Sequence, residues 1–294
     1  MRVVVAGSQG LIGSALVPAL RGAGHDVARL VRREALSDDE FSWDPETFGV
    51  PDEALEGVDA VVSLGGVGVG NQRWTGRFKQ ELRDSRITPT EVLAEAVAAA
   101  GVPAFLSASA TGFYGDTGTH AATESDSAGG GFLAGLVTDW EQTATENARA
   151  DTRVVLLRTA PVLSRKGGLL AKLRPVFWTG LGGSIGDGKQ FFSWITLPDE
   201  VRAIAYLLES DISGPVNLSS PGALPFGEFA SALGRSMHRP TIMSVPGVIA
   251  KTLGGEMAEE MILFSQRVAP KVLTEHGFTF DHQSINDALD YLNA

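Results

Sequence analysis

The order of apolar and glycine signals along the chain predicts an α/β protein, a Rossmann-type doubly wound parallel sheet with a smaller, interwoven C-terminal substrate region. Three observations carry that prediction. The apolar run Val3-Val4-Val5 feeds directly into Ala6-Gly7-Ser8-Gln9-Gly10-Leu11-Ile12-Gly13, a strand passing through spaced glycines into a helix. Apolar runs of strand length then alternate with segments of helical period up to about residue 160, the order that builds a parallel sheet covered on both faces. Beyond that point the rhythm breaks into glycine-rich and proline-punctuated stretches.

After the glycines, Ser14 to Ala23 carries Leu16, Val17 and Leu20 at helical spacing and is ended by Gly22 and Gly24. Asp26 to Val31 reads as a second strand, and Phe41-Ser42-Trp43 as a short third one before Asp44-Pro45. Asp59 to Leu64 has the continuous apolar character of a strand buried on both faces, and it stops at Gly65-Gly66. An alanine-rich helix is expected over Thr88 to Ala100, with Pro89 in its first turn. Strands Ala104 to Ser109 and Arg153 to Leu157 bracket a long helix from Gly131 to Arg149. The glycine-rich stretch Gly180 to Gly188 is followed by Lys189-Gln190-Phe191-Phe192-Ser193-Trp194-Ile195. One cation and three aromatics beside a mobile loop suit a lid over a flat or anionic ligand, the alternative being that the aromatics are core. Pro198-Asp199-Glu200 opens a helix through Leu208, Gly214 to Leu218 reads as a strand, and two or three helices follow between Pro225, Pro240, Pro246 and Pro270. The division expected is a dinucleotide-binding part over 1–160, with contributions from about 190–220, and a mostly substrate-side, helical part over 161–294.

Composition narrows the function classes. The chain has 294 residues, 44% hydrophobic and 20% charged, as a globular protein does. A net charge of −11 repels polyanions, so no nucleic-acid partner is expected. Cysteine is absent, which excludes disulfides, thiolate nucleophiles and Cys-ligated zinc. Met1-Arg2-Val3 already belongs to a strand rather than a signal peptide, and no apolar run nears the roughly 20 residues of a spanning helix. A cytoplasmic location and no membrane partner are therefore expected. The histidines (His25, His120, His238, His276, His282) make no metal-ligand spacing, and no G-x-S-x-G elbow is present. Neither a metal site nor hydrolase chemistry is expected.

The glycine turn points to a dinucleotide. The first Gly allows the tight turn, the second lets backbone approach the pyrophosphate, and the third lets the helix pack on the strand. Helix N–H groups and the positive end of the macrodipole then meet the anion. The spacing here is G-x-x-G-x-x-G. Where NAD-binding proteins carry an acid for the ribose 2′-OH, the second strand ends in Leu30-Val31-Arg32-Arg33. Two guanidiniums suit a 2′-phosphate, the alternative being a solvated charge pair, so NADP(H) is the cofactor expected. Candidate cofactor contacts are Gly7, Ser8, Gly10, Leu11, Ile12 and Gly13 at the turn, then Arg32 and Arg33, then Leu64 and Gly65, with Arg86 and Val162 further on.

At this point the chain resembles a known family. The glycine turn, the Asp59–Gly66 strand and Leu106-Ser107-Ala108-Ser109-Ala110-Thr111-Gly112-Phe113-Tyr114-Gly115-Asp116 are similar to the extended short-chain dehydrogenases/reductases, in their epimerase/dehydratase branch. Asp139-Trp140-Glu141, Gly180-Leu181-Gly182-Gly183, Trp194-Ile195 and Gly214-Pro215-Val216-Asn217-Leu218 resemble an atypical epimerase subfamily of undefined substrate. That subfamily has its own C-terminal region, matched here by Arg239-Pro240, Val245-Pro246, Leu253-Gly254-Gly255-Glu256, Gln266-Arg267-Val268 and Gly277-Phe278.

The resemblance implies a catalytic set of Asn, Ser, Tyr and Lys, the last two as Y-x-x-x-K. This chain departs from it: none of Tyr114, Tyr206 and Tyr291 is followed by Lys four residues on. Counting back from Glu141, the resemblance puts Leu133 and Val137 at the Tyr and Lys positions and Arg86 at the Asn position. Two apolar side chains transfer no proton. Ser109 survives from the set, and Tyr114, at the end of its strand, is the other catalytic candidate. Arg86 reads equally as a clamp on a cofactor or substrate phosphate and as a surface charge, while Glu141 reads as a structural ion-pair partner. Two functions fit: an NADP(H)-dependent oxidoreductase or epimerase acting on a small or nucleotide-linked polar substrate, or a catalytically weak NADPH-binding sensor that works through a partner.

Overall fold

The computed structural model describes residues 1–241 and 243–293. Strands β1 (Arg2–Ala6), β2 (Asp26–Val31), β3 (Glu40–Ser42), β4 (Ala60–Ser63), β5 (Ala104–Ala110), β6 (Arg153–Thr159) and β7 (Gly214–Leu218) form one sheet. The order is β7-β6-β5-β4-β1-β2-β3, and every pairing is parallel. Successive side chains of a strand point to opposite faces, and both faces are dry. Val3 and Val5 belong to a core under α1 (Gly13–Gly22) and α5 (Leu197–Glu209), with Leu16, Leu20, Ile204 and Leu207. Val4 and Ala6 belong to the opposite core, with Leu93 and Val97 of α2 (Gly76–Ala100) and Ala144 of α3 (Phe132–Glu146). The fold class is the one expected. The order of β1 between β4 and β2 places the chain reversal at the carboxyl end of β1, where ligands of such sheets sit.

Helix α2 corrects the expected boundary. It starts twelve residues before Thr88, and Pro89 lies in its interior. Thr75 caps it, its hydroxyl accepting the Phe78 N–H at 3.2 Å, and Phe78, Leu82, Leu93 and Val97 are all buried. That buried stripe extends through a charged stretch that hides it from a composition reading, and it outweighs the single N–H that Pro89 cannot donate.

The C-terminal region builds a third core. Here α4 (Gly168–Trp178), which periodicity did not reveal, meets α6 (Phe226–Ser236) and α9 (Ile285–Asn293) around Leu170, Phe177, Trp194, Phe229 and Leu289. Two further helices of the region are α7 (Gly247–Ala258) and α8 (Lys271–Glu275), whose Leu273 belongs to the core under α1 and α5. Two of the three aromatics after the loop, Phe192 and Trp194, take the core alternative, while Phe191 is half-buried with the Arg267 guanidinium 4.8 Å from its ring centroid. Trp194 is fully buried, and Phe192 packs on Phe226 and Phe229. Gly183–Ile185 of the glycine-rich stretch pairs with Met243–Val245 as a small parallel ladder, so the lid expectation is corrected. Among the described residues, no helix is long and apolar enough to cross a membrane.

Candidate functional site

At the carboxyl ends of β1, β2 and β4 lies a cleft of about 310 Å³. Its floor is the glycine turn. Gly7 has φ +81°, and a side chain there would press on the Leu64 and Gly65 backbone at 2.8 to 3.0 Å. A Cβ on Gly13 would run into the Gly7 carbonyl, whereas one on Gly10 meets only that oxygen, at 3.3 Å. Gly7 and Gly13 thus hold the turn together, and Gly10 keeps its open side clear. Helix α1 begins there with no side-chain cap, the Ser14 and Ala15 N–H groups being taken by the Gly10 and Ile12 carbonyls. The Ser8 hydroxyl is buried in the same wall with no hydrogen-bond partner among the described residues, and the burial of such a group is costly until a partner satisfies it. Trp43 and the exposed Arg32 close the far end, with the guanidinium 5.8 Å from the ring centroid.

The two arginines after β2 part company. Arg33 donates from Nη1 and Nη2 to the two carboxylate oxygens of Glu40, at 2.8 and 2.7 Å. Glu40 also receives the Leu36 N–H, and these bonds, with that to Arg33 foremost, hold its carboxyl down at about 2. Arg33 is therefore tied into β3 and lines no part of the cleft, which corrects the expectation of a two-arginine clamp.

Leu64, Gly65 and Gly66 also line a second cavity, of about 330 Å³. Its walls come from Ile12, Ser109, Thr159 and Arg86, from Leu133, Val137 and Trp140 of α3, and from Glu260, Met261 and Gln266 of the C-terminal region. Of the sequence candidates, Gly7, Ser8, Gly10, Arg32, Leu64 and Gly65 line the first cavity, and Ile12, Leu64, Gly65, Arg86 and Ser109 the second. Leu11 and Val162 line neither: Leu11 packs on Gly167 and Gly168, and Val162 pairs with Ile195. Trp43, Glu260 and Gln266 were missed as site residues: Gln266 stood in a stretch that marked only the C-terminal region, and all three reach the site through the fold.

Below the second cavity runs a buried polar chain. The Ser109 hydroxyl donates to Glu141, whose oxygens each take a 2.8 Å hydrogen bond from Arg158. Arg158 donates to the Tyr114 hydroxyl at 2.9 Å, and that hydroxyl donates to Asn217 Oδ1 at 2.7 Å. Tyr114 is buried inside this chain, faces neither cavity, and burial pushes its hydroxyl up to about 12. The expectation of Tyr114 as an acid at the nicotinamide is corrected: both its hydrogen-bond roles are spent on structure. Glu141 is the structural pair expected.

Comparison with known proteins agrees with this architecture. Residues 3–218 match the model of the NAD dependent epimerase/dehydratase family, and residues 245–292 match a domain of unknown function, DUF1731. An epimerase family protein of Mycobacterium bovis is 49% identical over 290 residues, covering 98% of this chain and 96% of that one. A crystal structure of human epimerase family protein SDR39U1 (isoform 2) with NADPH aligns with TM-score 0.91 and 30% identity over 100% of this chain and 99% of that chain. A nucleoside-diphosphate sugar epimerase from Corynebacterium glutamicum aligns with TM-score 0.80 and 33% identity, covering all of this chain and 58% of that one. With the family model spanning most of its length and a 49% identical relative matched over 98% of it, this chain belongs to the NAD dependent epimerase/dehydratase family.

Proposed function

We propose that the protein is an NADP(H)-dependent oxidoreductase of the extended short-chain dehydrogenase type that works without a Tyr–Lys pair. One observation carries the reading: a glycine-turn cleft holding a buried hydroxyl, Ser8, and a guanidinium, Arg32, both without a partner among the described residues, shares its wall of Leu64, Gly65 and Gly66 with a second, mostly apolar cavity. The residues fit the dinucleotide. Gly10 and the start of α1 would meet the pyrophosphate, Ser8 would gain a partner, and Arg32 would take the 2′-phosphate. The human relative solved with NADPH supports the same choice of cofactor.

When bound, the nicotinamide supplies or accepts the hydride. Leu133, Val137 and Trp140 keep water from the reacting centre. Ser109, its proton committed to Glu141, presents a lone pair and orients a substrate hydroxyl by accepting from it. That commitment, with apolar residues at the usual Tyr and Lys positions, favours one second reading, a cofactor-binding protein of weak catalysis. NADPH and NADH titrations followed by cofactor fluorescence test the cofactor assignment, with preference for NADPH expected and equal affinities overturning it. A screen of carbonyl compounds and nucleotide sugars with NADPH separates the two functions. Turnover lowered in Ser109→Ala supports the enzyme, and none on any class favours the sensor.

A further inference from the structure

Arg86 carries a charge that nothing beside it balances. Its Nη1 donates to the Leu82 carbonyl at 3.1 Å and to Ser85 Oγ at 3.3 Å, and its Nη2 to the Val67 carbonyl at 2.9 Å. The guanidinium lies 5.2 Å from the ring centroid of Trp140, which is itself fixed by a 2.8 Å hydrogen bond to Thr90. Every one of these partners is neutral, and among the described residues no carboxylate forms an ion pair with it. Burial alone pulls Arg86 down to about 10, so it stays cationic at neutral pH. A half-buried, unpaired cation is costly in an apolar setting; one held by neutral acceptors and a stacked ring is prepared for an anion from outside.

The second cavity is where that anion would come. Arg86 stands in a wall otherwise dominated by Val69, Leu133, Leu136, Val137 and Met261. The acid in the same wall, Glu260, is engaged elsewhere, its two oxygens accepting the Phe132 and Leu133 N–H groups at 2.7 and 2.8 Å. A cavity of about 330 Å³ is at the small end of ligand sites. A sugar nucleotide brings a charged diphosphate and a rim of hydroxyls, more than Ser109, Thr111, Thr159 and Gln266, the neutral polar side chains of this mostly apolar wall, can pair.

Resting on the reading of the adjoining cleft as the NADP(H) site, we propose that the second cavity takes a small, largely apolar molecule with one carboxylate, held by Arg86 beside the nicotinamide. The probes are phenylpropionate and octanoate against their neutral amides, titrated into the protein with and without saturating NADPH. The acids are expected to bind wild type at least about tenfold more tightly than the amides. Arg86→Met, which keeps the side-chain stem, is expected to erase that difference while leaving NADPH affinity and the circular dichroism spectrum unchanged. Acid and amide binding alike to wild type, tighter binding of UDP-glucose than of either acid, or loss of NADPH in place of acid binding in Arg86→Met each overturn the proposal. The wild-type comparison decides even if that variant fails to fold. Failure of NADPH itself to bind wild type sinks the cofactor reading instead, and the acid–amide comparison without cofactor still tests Arg86 separately.

Discussion

Glu200 shows at the scale of one side chain how burial governs behaviour. It is fully buried, one oxygen accepts the Thr159 hydroxyl hydrogen bond at 2.8 Å, and the other has no partner among the described residues. Burial pushes its carboxyl from 4.5 up to about 8. The folded-state value is raised, so stability is fully present below the unfolded value. It is lost as pH rises, because the unfolded chain ionises while the folded carboxyl cannot, until the folded group ionises too near pH 8. Glu200→Gln is expected to flatten the stability profile between about pH 5 and 8 and to exceed wild type by several kcal/mol at the upper end. Urea unfolding at several pH values checks it, and parallel profiles for the two proteins would show that Glu200 is ionised when folded. The two arginines after β2 make the complementary case. Arg32→Ala should lose roughly 1.5–3 kcal/mol of NADPH affinity and little of NADH affinity, while Arg33→Ala, which leaves the buried Glu40 with only Arg29 and the Leu36 N–H, should lose stability and spare the cofactor preference. Both guanidiniums were legible from their place after the strand, but their division was not. The partner of Arg33 is Glu40, seven residues on, and that of Tyr114 is Asn217, 103 residues on. Position along a strand says where a side chain starts and not what it meets.

Elements were legible where burial repeats a period and illegible where a contact from elsewhere defines them. The β1 turn carried its own signature, and its glycines now divide by task. Gly10→Val should fold, since its Cβ meets one oxygen at 3.3 Å, yet lose NADPH binding because the branched side chain stands where pyrophosphate must approach. Gly13→Val, driven into the Gly7 carbonyl, should lose the fold as well. A Gly10→Val protein with native circular dichroism and undiminished NADPH affinity would move the cofactor elsewhere. The start of α3 shows the limit. No side chain of its own caps it; the carboxylate of Glu260, 128 residues later than Phe132, does so instead. No local pattern around Gly131 foretells that. Removing the cap in Glu260→Ala should cost about 1–2 kcal/mol in chemical denaturation, with unchanged stability arguing that solvent caps α3 equally well.

For the whole molecule the decisive feature is that the C-terminal region is sewn into the sheet as well as laid beside it. Strand β7 returns to pair with β6, and the segment around Ser265 to Ala269 hydrogen-bonds to Thr117 and Ala122 beyond β5. Asn217 joins the three parts at once, accepting from Tyr114, donating to the Ala269 carbonyl at 2.9 Å, and giving its N–H to Glu124 at 3.1 Å. The alternation of strands and helices foretold the sheet, whereas these long-range stitches follow from no local spacing. Such interweaving leaves no part able to open alone at low cost, so the chain should unfold in one cooperative transition. NADPH binding at the β1 turn should then stabilise the distant α6–α9 core as much as the sheet. Mass action gives about 2.7 kcal/mol when free cofactor stands near 100-fold above Kd, or several degrees in Tm. Amide hydrogen exchange reads the coupling directly, because Phe229 and Leu233 of α6 belong to the C-terminal core and Val3 and Val5 to the sheet. Equal added protection at both places is the result expected of a single unit. Protection gained by the sheet alone would show that the C-terminal core opens independently of the cofactor half.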